Sequence, residues 1–111
     1  MFVIPINDIA NQTLSAQIAG QNCSIDIYQK SNGLFLDLYV SNSLIIGGVL
    51  CENLNFIVRD DYLGFIGDIL FNDTQGNSDP STPGLGTRYQ LCYLAPDEVT
   101  EFTDVFYSTT H

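Results

Sequence analysis

Two groups of oxygen-bearing side chains have spacings that chemistry uses. Asp60-Asp61 together with Asp68 could supply the two carboxylates of glycoside hydrolysis, which must face one sugar across a cleft. Neighbouring residues of a strand point to opposite faces, however, and acids beside a turn are normally solvated, so these three are expected to be non-catalytic. Asp73, Asn77 and Asp79 have the spacing of oxygen ligands around a hard cation such as calcium. No terminal bidentate Glu follows to complete such a loop, and the preferred reading is that these side chains cap turns. A Ser-His-Asp arrangement would have to use the single histidine, His111. Cys23, Cys51 and Cys92 form no Cys-x-x-Cys pair and have no nearby His, which argues against zinc and against a Cys/His nucleophile. They are expected to be reduced, small core or half-core residues of a protein made in a reducing cytoplasm. The expectation is therefore no enzyme, with no catalytic residue, cofactor or metal.

Charge narrows the partners. Three basic residues, Lys30, Arg59 and Arg88, stand against thirteen acidic ones, a formal net charge of −10. A protein that gains affinity from phosphates needs a basic stripe, so direct nucleic-acid binding is disfavoured. The same acidity suits a surface facing a passage through which DNA slides without sticking, and equally suits simple solubility. Met1 to Ile6 is apolar but lacks a basic leader, is interrupted by Pro5 and is too short for a signal-peptide core. No apolar run approaches the roughly 20 residues of a membrane span, so no membrane embedding is expected.

The elements that would carry these residues read as strands. At 111 residues, 45% hydrophobic and 14% charged, the chain suits one folded domain. Leu14, Ala16 and Ile18 define a strand that Gly20 and Gln21 turn into the next, where Cys23, Ile25 and Ile27 share a face. Ser31-Asn32-Gly33 predicts a type I′ hairpin turn, followed by Leu34, Leu36, Leu38 and Val40 on one face and Phe35, Asp37 and Tyr39 on the other. Ser41-Asn42-Ser43 turns again into Leu44 to Leu50, apolar on both faces around Gly47-Gly48, a pattern for a central strand or one bent at a bulge. Asn55 to Arg59, Leu63 to Phe71 and Arg88 to Ala95 complete about seven strands. Pro96 and Asp97, with Val99, Phe102 and Phe106, indicate a short C-terminal helix, an extended arm being the alternative. The fold class is all-β, a small antiparallel β-barrel or β-sandwich.

Between Asn72 and Thr87 runs a Gly- and Pro-rich segment too polar for core and too long for a hairpin turn. Asp73-Thr74-Gln75-Gly76-Asn77-Ser78-Asp79-Pro80, followed by Gly84-Leu85-Gly86-Thr87-Arg88-Tyr89, resembles the signature loop of the phage baseplate plug family. Tyr62-Leu63-Gly64-Phe65, Phe2-Val3-Ile4-Pro5, Asn11-Gln12-Thr13 and Gln21-Asn22-Cys23 agree in order. The resemblance covers residues 1–95, a β domain, and leaves 96–111 as a C-terminal extension. It implies a structural component of a contractile phage tail baseplate, a plug at the central hub near the tube and spike, without catalysis. Its partners would be other baseplate proteins (hub, spike, possibly tube), in an oligomeric virion assembly, after synthesis in the host cytoplasm.

Gly76, Gly84 and Gly86 allow backbone conformations that a β-carbon would forbid, while Pro80 and Pro83 stiffen the loop and lower the entropy lost on docking, which makes it a good contact element. The expected interface is therefore Tyr62, Phe65, Gly76, Asp79, Pro80, Gly84, Gly86, Arg88 and Tyr89. Arg and Tyr are enriched at interface hot spots. The competing assignment pairs Arg88 with Asp73 or Asp79 and packs Tyr89 internally. The rival function is a small β-sandwich carbohydrate-binding module that stacks sugars on Tyr28 or Tyr39, weakened by the absence of Trp.

Overall fold

A computed structural model of the chain describes residues 1–59 and 64–110, with side chains described as far as residue 103. Seven strands and one helix follow in order: β1 (Phe2–Ile4), β2 (Asn11–Ile18), β3 (Gln21–Lys30), β4 (Gly33–Val40), β5 (Ser43–Leu50), β6 (Asp68–Asp73), β7 (Tyr89–Leu94) and α1 (Pro96–Thr110). They form a four-stranded antiparallel sheet, β2-β3-β4-β5, and a three-stranded antiparallel sheet, β1-β7-β6. The sheets do not close, so the barrel-or-sandwich alternative resolves to a sandwich.

Period-two patterning builds the larger sheet. Ile25, Ile27, Leu34, Leu36 and Leu38 are fully buried on the inner face of β3 and β4, as their alternation predicts. Two-residue loops join its strands at Ala19-Gly20, Ser31-Asn32 and Ser41-Asn42. Both central residues have positive φ in the first (52° and 75°) and the third (50° and 67°), the geometry that matches strand twist. The turn expected to be type I′ is the exception: Ser31 and Asn32 keep negative φ, and Gly33, at φ 145°, is already the first residue of β4.

The paired glycines of β5 make a bulge, as one branch of the sequence reading required, and the strand is an edge rather than central. Leu36 pairs with Val49 and Leu38 with Ile46, so Gly47 and Gly48 together oppose Asp37; Ile45 is a second extra residue before Leu44 meets Tyr39. Gly48 has φ 66°, and its N–H, freed from the ladder, donates to Asp37 Oδ1 at 2.7 Å.

The smaller sheet is covered on both faces. Ile4, Ile69, Phe71, Tyr89, Leu91 and Tyr93 face the larger sheet in the main core. On the opposite face Leu70, Cys92 and Leu94 are buried under Leu54, Phe56, Val99 and Phe102, with Phe56 and Phe102 edge to face at 5.3 Å. Helix α1 begins where Pro96 ends β7. Glu98 Oε1 accepts the Ala95 N–H at 2.9 Å, and the Val99 N–H closes the first turn on the Ala95 carbonyl. The first turns of the extension are thus the third layer of the fold.

Three expectations change here. Phe2–Ile4 is a strand paired to β7, not merely an apolar start. Asn55 to Arg59 is not a strand: the stretch lies along β6 through the Leu54 N–H to Phe71 and Ile57 N–H to Ile69 carbonyl bonds, and Leu54 and Arg59 break it with φ 57° and 66°. Sixth among the strands, β6 starts at Asp68 rather than Leu63, because Gly64 and Gly67 sit at φ 89° and 90° and the Ile66 carbonyl accepts the Tyr93 hydroxyl. Leu63 itself lies outside the described residues.

Removing residues 96–111 strips Val99 and Phe102 from Leu70, Cys92 and Leu94. At roughly 1.5–3 kcal/mol per buried apolar side chain, the chain cut after Ala95 should lose about 3 kcal/mol or more in urea unfolding. An unchanged midpoint would show that the helix is an accessory.

Candidate functional site

Strands β6 and β7 are antiparallel neighbours, and the register Asp73↔Tyr89 sets the base of the long loop between them. Asp73 closes that base. Its side chain is wholly buried, and a carboxylate out of water needs donors for its lone pairs. Arg88 Nε donates to Oδ1 at 2.8 Å and Nη2 to Oδ2 at 2.9 Å, a bidentate pair. The Gln75 N–H adds a bond to Oδ1 and the Ser78 N–H one to Oδ2, so the loop's first turn folds around the same group. Arg88 holds the carboxyl of Asp73 well below the usual carboxylate range, aided by those two N–H groups and opposed by burial.

The rest of the loop is fastened to distant parts of the chain. Thr74 donates through both its N–H and its hydroxyl to the Arg88 carbonyl, each at 2.8 Å. The Asn53 N–H donates to Asp79 Oδ1 and the Asp73 N–H to Asn53 Oδ1, tying the loop to the segment after β5. Thr82 N–H donates to Gln29 Oε1 on β3 and Leu85 N–H to Asp8 Oδ1 before β2. Leu85 is buried in the main core. Gly86, at φ 83°, lies so close to the Ile6 carbonyl oxygen that a β-carbon there would sit 2.4 Å from it.

The loop therefore lies against the chain's own body and presents a braced tip. Of the residues expected at an interface, Gly76 and Asp79 are exposed, Arg88 and Gly84 are half-buried, and Gly86 is half-buried over Ile6. Pro80 is buried; so is Phe65, whose ring stands edge-on to Tyr93 at 5.9 Å. Tyr89 is buried, with the Arg88 guanidinium 5.0 Å from its ring centre, which matches the internal-pairing assignment. Tyr62 lies outside the described residues. The exposed tip comprises residues 74–79 and offers amides, hydroxyls and backbone rather than a charged cluster.

Several side chains of the chemical alternatives have partners within the fold. Asp73 and Asp79 hold backbone N–H groups, which is the turn-capping reading. Asp68 is buried and accepts the Val58 and Ile69 N–H groups on Oδ1 and the Arg59 N–H on Oδ2. Asp60 and Asp61 lie outside the described residues. All three cysteines are free and buried, and burial pushes the Cys51 thiol up to about 12. Tyr28 donates its hydroxyl to Asp37 and stacks on Phe35 at 6.0 Å, with Lys30 over both rings. Asn53, Gln29 and Asp8, which fasten the loop, were not singled out from the sequence.

The family model described as cyanophage baseplate Pam3 plug gp18 matches residues 1–97 of the 111. No curated protein matches the chain.

A carboxyl whose folded pKa is depressed stabilises the fold above its unfolded value of about 3.9 and loses that contribution as pH falls through the folded value. Asp73→Asn should therefore be less stable than the parent at pH 7, and the gap between the two urea midpoints should narrow steadily below about pH 4. A gap independent of pH would show that the Asp73 charge does not hold the loop.

Proposed function

The chain belongs to the cyanophage baseplate plug family, and we propose that it acts as a plug at the central hub of a contractile tail, near the tube and spike. It is a structural component of a phage baseplate, a virion protein that contacts other baseplate proteins. Its action is mechanical. Subunit contacts hold it in place, and the exposed loop tip with the strand ends that carry it is the contact surface toward the hub and spike.

The observation that carries this reading is the braced loop. A segment of this length is normally mobile or functional. Here the buried Asp73, the Arg88 fork and ties to Asn53, Gln29 and Asp8 order it before any partner arrives. Pre-ordering lowers the entropy lost on assembly. With three basic residues in the whole chain, tip contacts rest on hydrogen bonds and apolar burial more than on salt bridges. A net charge of −10 supports a place beside a DNA passage, because such a surface repels the phosphate backbone. The three free thiols support synthesis in the host cytoplasm.

Gln75→Arg with Asn77→Arg changes only exposed tip side chains and should leave the melting temperature within about 2 °C of the parent. The double variant should nevertheless be depleted from purified virions about tenfold or more, read by quantitative mass spectrometry. Incorporation at the parental level would remove the tip from the contact surface. Absence of the unaltered chain from virions would refute the plug role itself.

A further inference from the structure

The two sheets differ in what covers them. Helix α1 and the segment around Leu54 and Phe56 cover the outer face of the smaller sheet, whereas the outer face of the larger one keeps Leu44 and Leu50 exposed and Tyr28, Phe35 and Tyr39 only half-buried. That bare face is ordered in rows by the strand register. Ser24, Tyr39 and Leu44 make one row, and Tyr28, Phe35 and Leu50 another. Leu44 is 57% exposed and Leu50 40%, both among the large apolar side chains most open to water in the chain. Between the two rows Asp26 and Asp37 stand directly opposite each other on β3 and β4.

Like charges directly opposite across a strand pair oppose folding, so the pair calls for a compensating charge. No described salt bridge reaches either carboxylate. Asp26 accepts the Thr13 hydroxyl, and Asp37 accepts the Tyr28 hydroxyl and the Gly48 N–H; all of these donors are neutral. Arg88 is paired with Asp73 and Arg59 donates to the Phe56 carbonyl, whereas Lys30 lies on this same face, over the Tyr28 and Phe35 rings at 5.4 Å. Among the described residues neither Asp26 nor Asp37 has an ion-pair partner.

We propose that this face is a second docking surface, separate from the loop tip, for another baseplate protein that sets an Arg or Lys side chain against Asp26 and Asp37. Apolar groups of the same partner cover Leu44 and Leu50. A desolvated cation between two carboxylates, ringed by aromatic and aliphatic contacts, is the arrangement of an interface hot spot. Charge selects the occupant. A second copy would bring the same acidic face, with Lys30 already set over its own aromatic rings, nucleic acid would bring phosphates, and the net charge of −10 repels both.

The inference rests on the baseplate reading, and its test separates the two. Asp26→Asn with Asp37→Asn keeps the acceptors for Thr13, Tyr28 and Gly48 while removing the repulsion, so the isolated variant should melt no lower than the parent. Its content in purified virions should fall about tenfold or more. In parallel, a photo-cross-linking amino acid replaces the exposed Leu44 in phage grown with the variant chain. The expected adduct joins a different baseplate protein through a peptide containing Arg or Lys. Parental incorporation of the Asn variant, an adduct to a second copy of this chain, or no adduct in virions that contain the chain would each overturn the second surface and leave the plug role standing. Virions lacking the unaltered chain would refute the plug role and this inference together.

Discussion

A carboxylate removed from water must be met by donors on both oxygens, and at Asp73 that requirement organises the end of the molecule where function is proposed. Four N–H groups converge on it, two from one guanidinium and two from the loop backbone. Because Arg88 precedes β7 and Asp73 ends β6, their bond closes the loop at its base. The guanidinium also lies over Tyr89, whose ring belongs to the main core, so the brace is continuous with the hydrophobic interior. A loop built this way behaves as part of the scaffold.

The same logic explains how acidic side chains serve the fold elsewhere. Asp68 gathers three backbone N–H groups and holds the Val58-Arg59 corner to the start of β6. Asp37 receives the N–H that the Gly47-Gly48 bulge frees from the ladder. In each case a carboxylate replaces a missing carbonyl acceptor, which lets an irregular backbone persist with its N–H groups paired. Acids that the sequence offers as candidate catalysts are, in the described part of the chain, structural acceptors.

Legibility followed the range of the interactions. Strands β3 and β4 were readable because alternation is local and one face is buried. The bulge at Gly47-Gly48 and the helix after Pro96 were readable for a similar reason. The count of seven strands agreed only because two errors offset each other: Asn55 to Arg59 has strand composition but a single backbone bond to β6, from Ile57, and Phe2–Ile4 is too short to show a period. Asn-Gly at 32–33 has the composition of a primed turn, yet the register places the glycine one position late. Arg88 with Asp73 was foreseeable from opposite charges flanking one loop. Asn53, Gln29 and Asp8 were not, since a side chain that meets a backbone N–H from a remote segment leaves no local pattern in the sequence.

What the chain can offer a partner follows from where its cations go. Arg88 is held inside the fold by Asp73, while Arg59 and Lys30 are exposed, one donating to a carbonyl and the other lying over aromatic rings. With three basic residues against thirteen acidic ones, ion pairs across an interface draw mostly on this chain's acids and the neighbour's bases. That asymmetry disfavours self-association, because two copies present the same sign. The proposed second surface would also separate folding from assembly, because charges opposed across β3 and β4 disfavour the isolated sheet and would be relieved by a partner's basic side chain.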